Sequence, residues 1–342
     1  MGSRKNALFI FAMVVGSLLA GFALSNYSVR SSSVANLAPS TTYFPSGAIW
    51  TQDISHTPVD PRSSALISWL TTAGGWGNNN KMQVDFGLRV IEAVNTSPMV
   101  AFRRAPGWLS PDSDYVSTIP LPQAGGIEGQ PEYLCDIHKY DCHLLVVDRA
   151  RGKLYEGWAA TYADPVITSK FLAVWDLNRI YPPSGRGDQC TSADAAGYPI
   201  TPLLFNANEL ASGEINHAIR FILPGARTRA HVFVHPATHA GGPSGPEIAP
   251  PMGAHFRLKA SYDMSQLSPS AQVVARAMQK YGMFLADAGN IALTAQSDKD
   301  TKTKYSDVGF DSHSVWSLKV TDFEIIDMGN PVPLTNQCIR NP

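Results

Sequence analysis

From Cys142 to Ile326 the apolar residues of this chain come in short runs, each closed by a glycine, a proline or a small polar cluster. That spacing leaves little room for long helices and favours strands joined by turns. CHLLVVD (142–148) and KLYEGWA (153–159) flank Arg149-Ala150-Arg151-Gly152, a hairpin signal. FLAVWDL (171–177) reads as a further strand, and so do residues 215–223, 231–234, 255–260 and 315–326. The composition agrees, with 27 glycines and 25 prolines among 342 residues and only 16% charged. One segment escapes the pattern. Ser268 offers an N-cap and Pro269 a first helical proline, and Val273, Val274, Ala277, Met278 and Tyr281 recur at helix spacing until Gly282. A weaker helical pattern covers Ser63 to Leu70. With no fixed-period repeat and no alternation of strand and helix, the expected fold class is mainly β: an antiparallel β-sandwich of jelly-roll type with a few helices.

The N-terminus reads as an export signal. Arg4 and Lys5 precede an apolar run from Ala7 to Leu24, with no further charge before Arg30. Ala23-Leu24-Ser25 and Ser33-Val34-Ala35 both offer small residues for cleavage, so residues 1–25 are a signal peptide or a retained anchor attached through residues 7–24. Residues 26–50 are rich in Ser, Ala, Pro and Thr and are expected to form a flexible stem before one domain over 51–342. The expected location is extracellular, or anchored at the outer face of a membrane. The four cysteines suit that compartment, as two disulfides with a local Cys135–Cys142 bridge beside Cys190 and Cys338. A zinc site is the rival, because His138 and His143 share the first segment, but no C-x-x-C supports it and no metal is expected.

Charge and motif content remove several function classes. A formal net charge of -1 gives no basic excess for nucleic acid. There is no G-x-S-x-G, no phosphate-binding loop, no H-E-x-x-H and no dinucleotide fingerprint, and no cofactor is expected. His235 and His239 have an H-x3-H spacing, but Pro236 and Gly241-Gly242-Pro243 place it in a loop.

The stretch SGEINHAIRFILP (212–224) holds the densest chemistry. On a helix Glu214 and His217 would share a face, whereas on a strand Glu214, Asn216 and Arg220 point one way and Ile215, His217, Ile219 and Phe221 the other. Pro224 ends the run too soon for a helix, so a strand is expected, with Glu214 and Arg220 lining a groove and His217 facing the core. HFRLKAS (255–261) alternates in the same way, setting His255, Arg257 and Lys259 on one face as a solvated row or a groove floor. In TSADAAG (191–197), small residues around Asp194 suit either close approach of a ligand or an Asx turn. His143 shares a face with Leu145 and Val147 and reads as a satisfied core histidine.

Five ordered motifs then carry a resemblance: TSADAAGYPITP, GEINHAIRF, PATH, PPMGAHFRLKAS and VVARAMQKYGMFLADAG. Over roughly residues 50–330 they resemble a family of exported bacterial and fungal proteins of unassigned function. The resemblance implies a lectin- or glucanase-like jelly roll. The chain departs from it at Lys153, where relatives often carry cysteine. Together these features point to a polysaccharide-active protein, a glycoside hydrolase or a polysaccharide lyase, with a non-catalytic carbohydrate-binding or envelope protein as the alternative. Hydrolysis needs a carboxyl pair, for which Glu214 and Asp194 are the candidates and Glu156 and Asp176 the reserves. Elimination needs a base, His217 or Tyr281, and a carboxylate-neutralising Arg257. Arg220, Arg257, Lys259, His239 and Tyr281 are the candidate substrate contacts, with Trp158 and Trp175 available for stacking.

Overall fold

The hairpin expected at residues 149–152 forms, and it is the centre of one of two six-stranded sheets. The computed structural model describes residues 42–106 and 112–342. The expected leader and residues 26–41 of the stem lie outside them, while Phe44, Ala48 and Trp50 at the stem's end are already buried. In chain order the strands are β1 (Val84–Leu88), β2 (Val90–Glu92), β3 (Met99–Arg104), β4 (Thr118–Pro120), β5 (Leu144–Asp148), β6 (Lys153–Ala163) and β7 (Val166–Asp176). They continue with β8 (Ile219–Leu223), β9 (Val232–Phe233), β10 (His255–Leu258), β11 (Met283–Ala288), β12 (Leu293–Gln296), β13 (Phe323–Ile325) and β14 (Val332–Pro333).

Sheet one has the order β1-β12-β8-β11-β10-β13, sheet two the order β2-β5-β6-β7-β3-β4, and β9 pairs with β14 alone. Both large sheets are mixed. β1 with β12, β8 with β11, β2 with β5 and β3 with β7 run parallel. The expected antiparallel jelly roll, and the lectin-like sandwich implied by the resemblance, are therefore wrong: this is an α/β architecture. Hairpins announce themselves locally through a tight turn, whereas parallel partners lie far apart in the chain and leave no local signature. β1 and β12 are joined across most of the domain.

The expected helix forms as Pro269–Lys280, with the Ser268 side chain accepting from Ala271 N–H and Tyr281 as C-cap. Val274, Ala277 and Met278 are buried along it. Gly282 turns the chain directly into β11 with φ +70, where a Cβ would lie 2.6 Å from His255 Nε2. A second helix, Ser63–Thr72, matches the weaker pattern, and a short third one, Ala207–Ser212, is closed by an Asn206–Glu209 capping box.

β5 is buried along its whole length, so sheet two has no wet face there. Leu145, Val147, Phe171 and Trp175 join the main core with Phe221, Phe256 and Met278 from the sheet-one side. Leu144, Val146 and Leu172 face a smaller cluster closed by the Cys135–Cys142 loop. Several expected strands shrink. Residues 315–326 keep only β13, after a 3-10 turn at Val320–Asp322, and residues 215–218 precede β8 rather than belonging to it.

Candidate functional site

β8, β11 and β12 bring three polar side chains to one place on sheet one. Arg220 on β8 lies beside Thr294 of β12, and its Nη1 donates to Thr294 Oγ1 at 3.0 Å. A bulge in the β8–β11 register between Leu285 and Asp287 re-aims Asp287, which accepts from Arg220 Nη2 at 2.9 Å. The loop TSADAAG supplies Asp194, whose Oδ1 takes Arg220 Nε at 3.1 Å and Nη2 at 2.7 Å. Both partners of this pair are sealed from solvent, Arg220 at 3% and Asp194 at 0% exposure. Asp194 Oδ2 is buried without a hydrogen-bond partner. Burial pushes the Asp194 carboxyl up to about 7, with Arg220 opposing and Asp287 adding to the rise.

Sheet two contributes the facing wall. His143, just before β5, has Nδ1 2.7 Å from Glu128 Oε2 and Nε2 3.1 Å from the Ala193 carbonyl. Burial opposes its charge, but Glu128 outweighs it and raises the imidazole to about 9. As an imidazolium it donates from both nitrogens, which satisfies both oxygens. Glu128 is held below the usual range, burial being overcome by His143. Asp85 on β1 is raised, by burial first and by the nearby Glu128 as well, against the Gly87 N–H it accepts.

These groups line a cleft in two parts. A hollow of about 320 Å³ holds Asp194, Asp287, His143 and His239, and one of about 610 Å³ holds Asp85 and Glu128. Asp141 and Trp158 border both. Trp158 on β6 is half-buried, with Lys170 Nζ 5.8 Å from its ring and its indole N–H 3.5 Å from Asp141 Oδ1.

Of the residues singled out from the sequence, Asp194, His143, His239, His138 and Trp158 line this cleft and Arg220 lies under it. Glu214 does not. It is exposed after the Ala207–Ser212 helix and its carboxylate accepts from Asn216 at 3.2 Å, so the expected Glu214–Asp194 pair is not assembled. The reason is local: β8 begins at Ile219, and strand alternation does not extend back to Glu214. His217 is buried as expected, though it precedes β8, and its Nε2 lies 3.1 Å from Glu209 Oε1. Arg220 is buried rather than lining a groove surface, its charge met by the Asp194 and Asp287 carboxylates. The Asx-turn alternative for Asp194 also fails, because its carboxylate bonds Arg220 and not its own loop.

HFRLKAS is not a solvated row, and of its polar residues only His255 borders a hollow, one of about 190 Å³ separate in its lining from the cleft. His255 stacks on Phe284 at 3.8 Å, and Arg257 donates to Glu324 at 2.8 Å and to the Thr57 carbonyl. Lys259 donates to the Thr321 carbonyl, and the Tyr281 hydroxyl lies 3.3 Å from Asn216. Of the reserves, Glu156 is wholly buried, accepting from Trp175 and from the Ile200 and Thr201 amides, while Asp176 pairs with Lys153. Trp175 is thereby a core residue, not a stacking platform.

Cys135–Cys142 and Cys190–Cys338 are joined, which leaves no thiolate for the zinc rival. Two disulfides fit an oxidising compartment. Among the described residues no helix is long and apolar enough to cross a membrane. No family model, no curated protein and no solved structure matches this chain.

Proposed function

We propose that this chain is an exported glycan-active protein that holds a sugar chain in the cleft over Trp158. The observation that carries the reading is the position of that side chain: a half-buried indole between two hollows, with carboxylates on both sides. An aromatic face takes the apolar face of a pyranose ring. Ionised carboxylates only accept hydrogen bonds, so Asp141, Asp287 and Glu128 suit a ligand rich in hydroxyl donors. Export is supported by the charged and apolar N-terminus and by the two disulfides. Calorimetric titration with neutral oligosaccharides tests the binding. Trp158→Ala should lower affinity on the order of tenfold or more, and Asp141→Asn, at an exposed position, should lower it with the melting temperature unchanged. Absence of binding by the unaltered protein to every oligosaccharide tried would sink the reading.

Hydrolysis is a second reading, favoured by one specific arrangement. Asp194 and Asp287 sit on the same guanidinium nitrogen at 2.7 and 2.9 Å. Those two oxygens are thus no farther apart than the two bonds laid end to end, an upper limit that admits the carboxyl spacing of retaining glycosidases. Their environments differ: Asp194 is sealed and pushed up to about 7, and Asp287 is part-exposed and ion-paired. Asp287→Asn should then abolish release of reducing ends while oligosaccharide binding persists. Undiminished release by that variant rejects the carboxyl-pair mechanism.

A further inference from the structure

We propose, on the glycan reading of the cleft, that its ligand is a cationic sugar chain, one bearing free amino groups. The charge inventory leads there. Asp85, Glu128, Asp141, Asp194 and Asp287 all line the two hollows. The cations of the smaller hollow are already committed. Arg220 is shared between Asp194 and Asp287, and His143 is held by Glu128 and the Ala193 carbonyl. Lys139 and His138, exposed on the Cys135–Cys142 loop, line the larger hollow and offset part of its negative charge. No lysine among the described residues lines the smaller one, where Lys170 lies over the Trp158 ring. His239 is engaged by the Ala195 carbonyl and Asn336. The carboxylates of Asp85 and Asp141 have no cationic partner within ion-pair distance among the described residues.

The second observation is independent of that count. Asp194 Oδ2 is buried on the lining of the smaller hollow and accepts nothing. A buried acceptor without a donor carries a desolvation cost that a ligand N–H recovers. An ammonium supplies three donors and a charge, where a hydroxyl supplies one donor and none. Uronate and sulfated chains meet the opposite condition. Their anions would enter an acceptor-rich cleft, and Arg257, the side chain suited to neutralise a carboxylate, is buried against Glu324 and is not among the lining residues. Elimination from uronate sugars therefore loses the cation expected for it, Arg257.

Calorimetric titration just above pH 7, where the Asp194 carboxyl is ionised and Oδ2 is an acceptor, with tetramers of glucosamine, N-acetylglucosamine and galacturonate, and with tetralysine, decides the matter. The glucosamine tetramer should bind on the order of tenfold tighter than its acetylated form, and the gap should narrow as salt is raised. Asp287→Asn should lower the affinity for the glucosamine tetramer by a larger factor than that for the acetylated tetramer, so that the gap closes, and Asp141→Asn, at an exposed position, should narrow it. Equal or tighter binding of the acetylated or galacturonate tetramer overturns the charge preference while leaving the glycan reading standing. Tetralysine matching the glucosamine tetramer overturns it in favour of a basic peptide. If no sugar binds at all, the glycan reading falls and this inference with it.

Discussion

One oxygen of Asp194 takes both bonds from the Arg220 guanidinium, at 2.7 and 3.1 Å, while the other oxygen takes none. The pair joins a loop to the middle of sheet one, since Arg220 is on β8 and β8 lies between β12 and β11. Removing the guanidinium would leave two carboxylates, Asp194 and Asp287, facing each other without compensation. Arg220→Met should therefore destabilise by about 3–5 kcal/mol. Glu214→Gln, at an exposed position, should change stability by no more than about 0.5 kcal/mol. Urea unfolding of both variants makes the comparison, and a near-neutral Arg220→Met would mean the pair does not hold the loop.

The helix Pro269–Lys280 gives a second test. Met278 is fully buried, with Val274 and Ala277 beside it. Met278→Asp would place an unpaired charge among apolar groups, at a cost upwards of about 4 kcal/mol. Thermal unfolding should show a large drop in melting temperature, whereas Arg276→Ala, at an exposed position of the same helix, should hardly move it.

Much of this helix was legible because its signals are local: a Ser-Pro start, a 3.6-residue stripe and a closing glycine. The same holds for the 149–152 hairpin and for the Cys135–Cys142 bridge, whose partners are seven residues apart. The site is less local. Asp194 and Arg220 are 26 residues apart and Arg220 and Asp287 67 apart, and they meet only because β8 and β11 pair in parallel. A lone acid closing the apolar run Met283–Ala286 was a signal for Asp287, since a carboxylate entering a buried strand needs a partner. Glu128 had no comparable mark. It stands among glycines, and only the fold brings it to His143, which reads from the sequence as a core residue and is one, with an ion pair added. Glu214 alternates in sequence with Arg220, but β8 starts only at Ile219, so the pattern has no strand behind it that far back.

The disulfides should contribute unequally. Cys190–Cys338 closes a loop of 148 residues and Cys135–Cys142 one of 7. Loop-closure entropy grows with length, so losing the longer bridge should cost upwards of about 4 kcal/mol and losing the shorter one less than about 3 kcal/mol. Paired Cys→Ser variants at each bridge, unfolded in guanidinium, measure both costs. A larger loss at the short bridge would show that packing of its loop over Leu144 and Val146, rather than chain entropy, sets its value.

The His143–Glu128 pair makes a prediction with a definite sign. The imidazole is raised from 6.5 to about 9 in the folded chain, because Glu128 outweighs the opposing burial. Between those two values the folded state holds a proton that the unfolded state has released, so stability falls as pH rises. The contribution is complete below pH 6.5 and is lost as pH passes through about 9. On the acid side Glu128, held below its usual range, adds stability that disappears only as pH falls through its lowered value. Unfolding free energy measured across this interval should therefore decline with pH in the unaltered protein. His143→Gln keeps a donor toward Glu128 but cannot titrate, and its decline over the same interval should be markedly flatter. An equal slope in the variant would assign the alkaline loss to another group and leave His143 neutral in the fold.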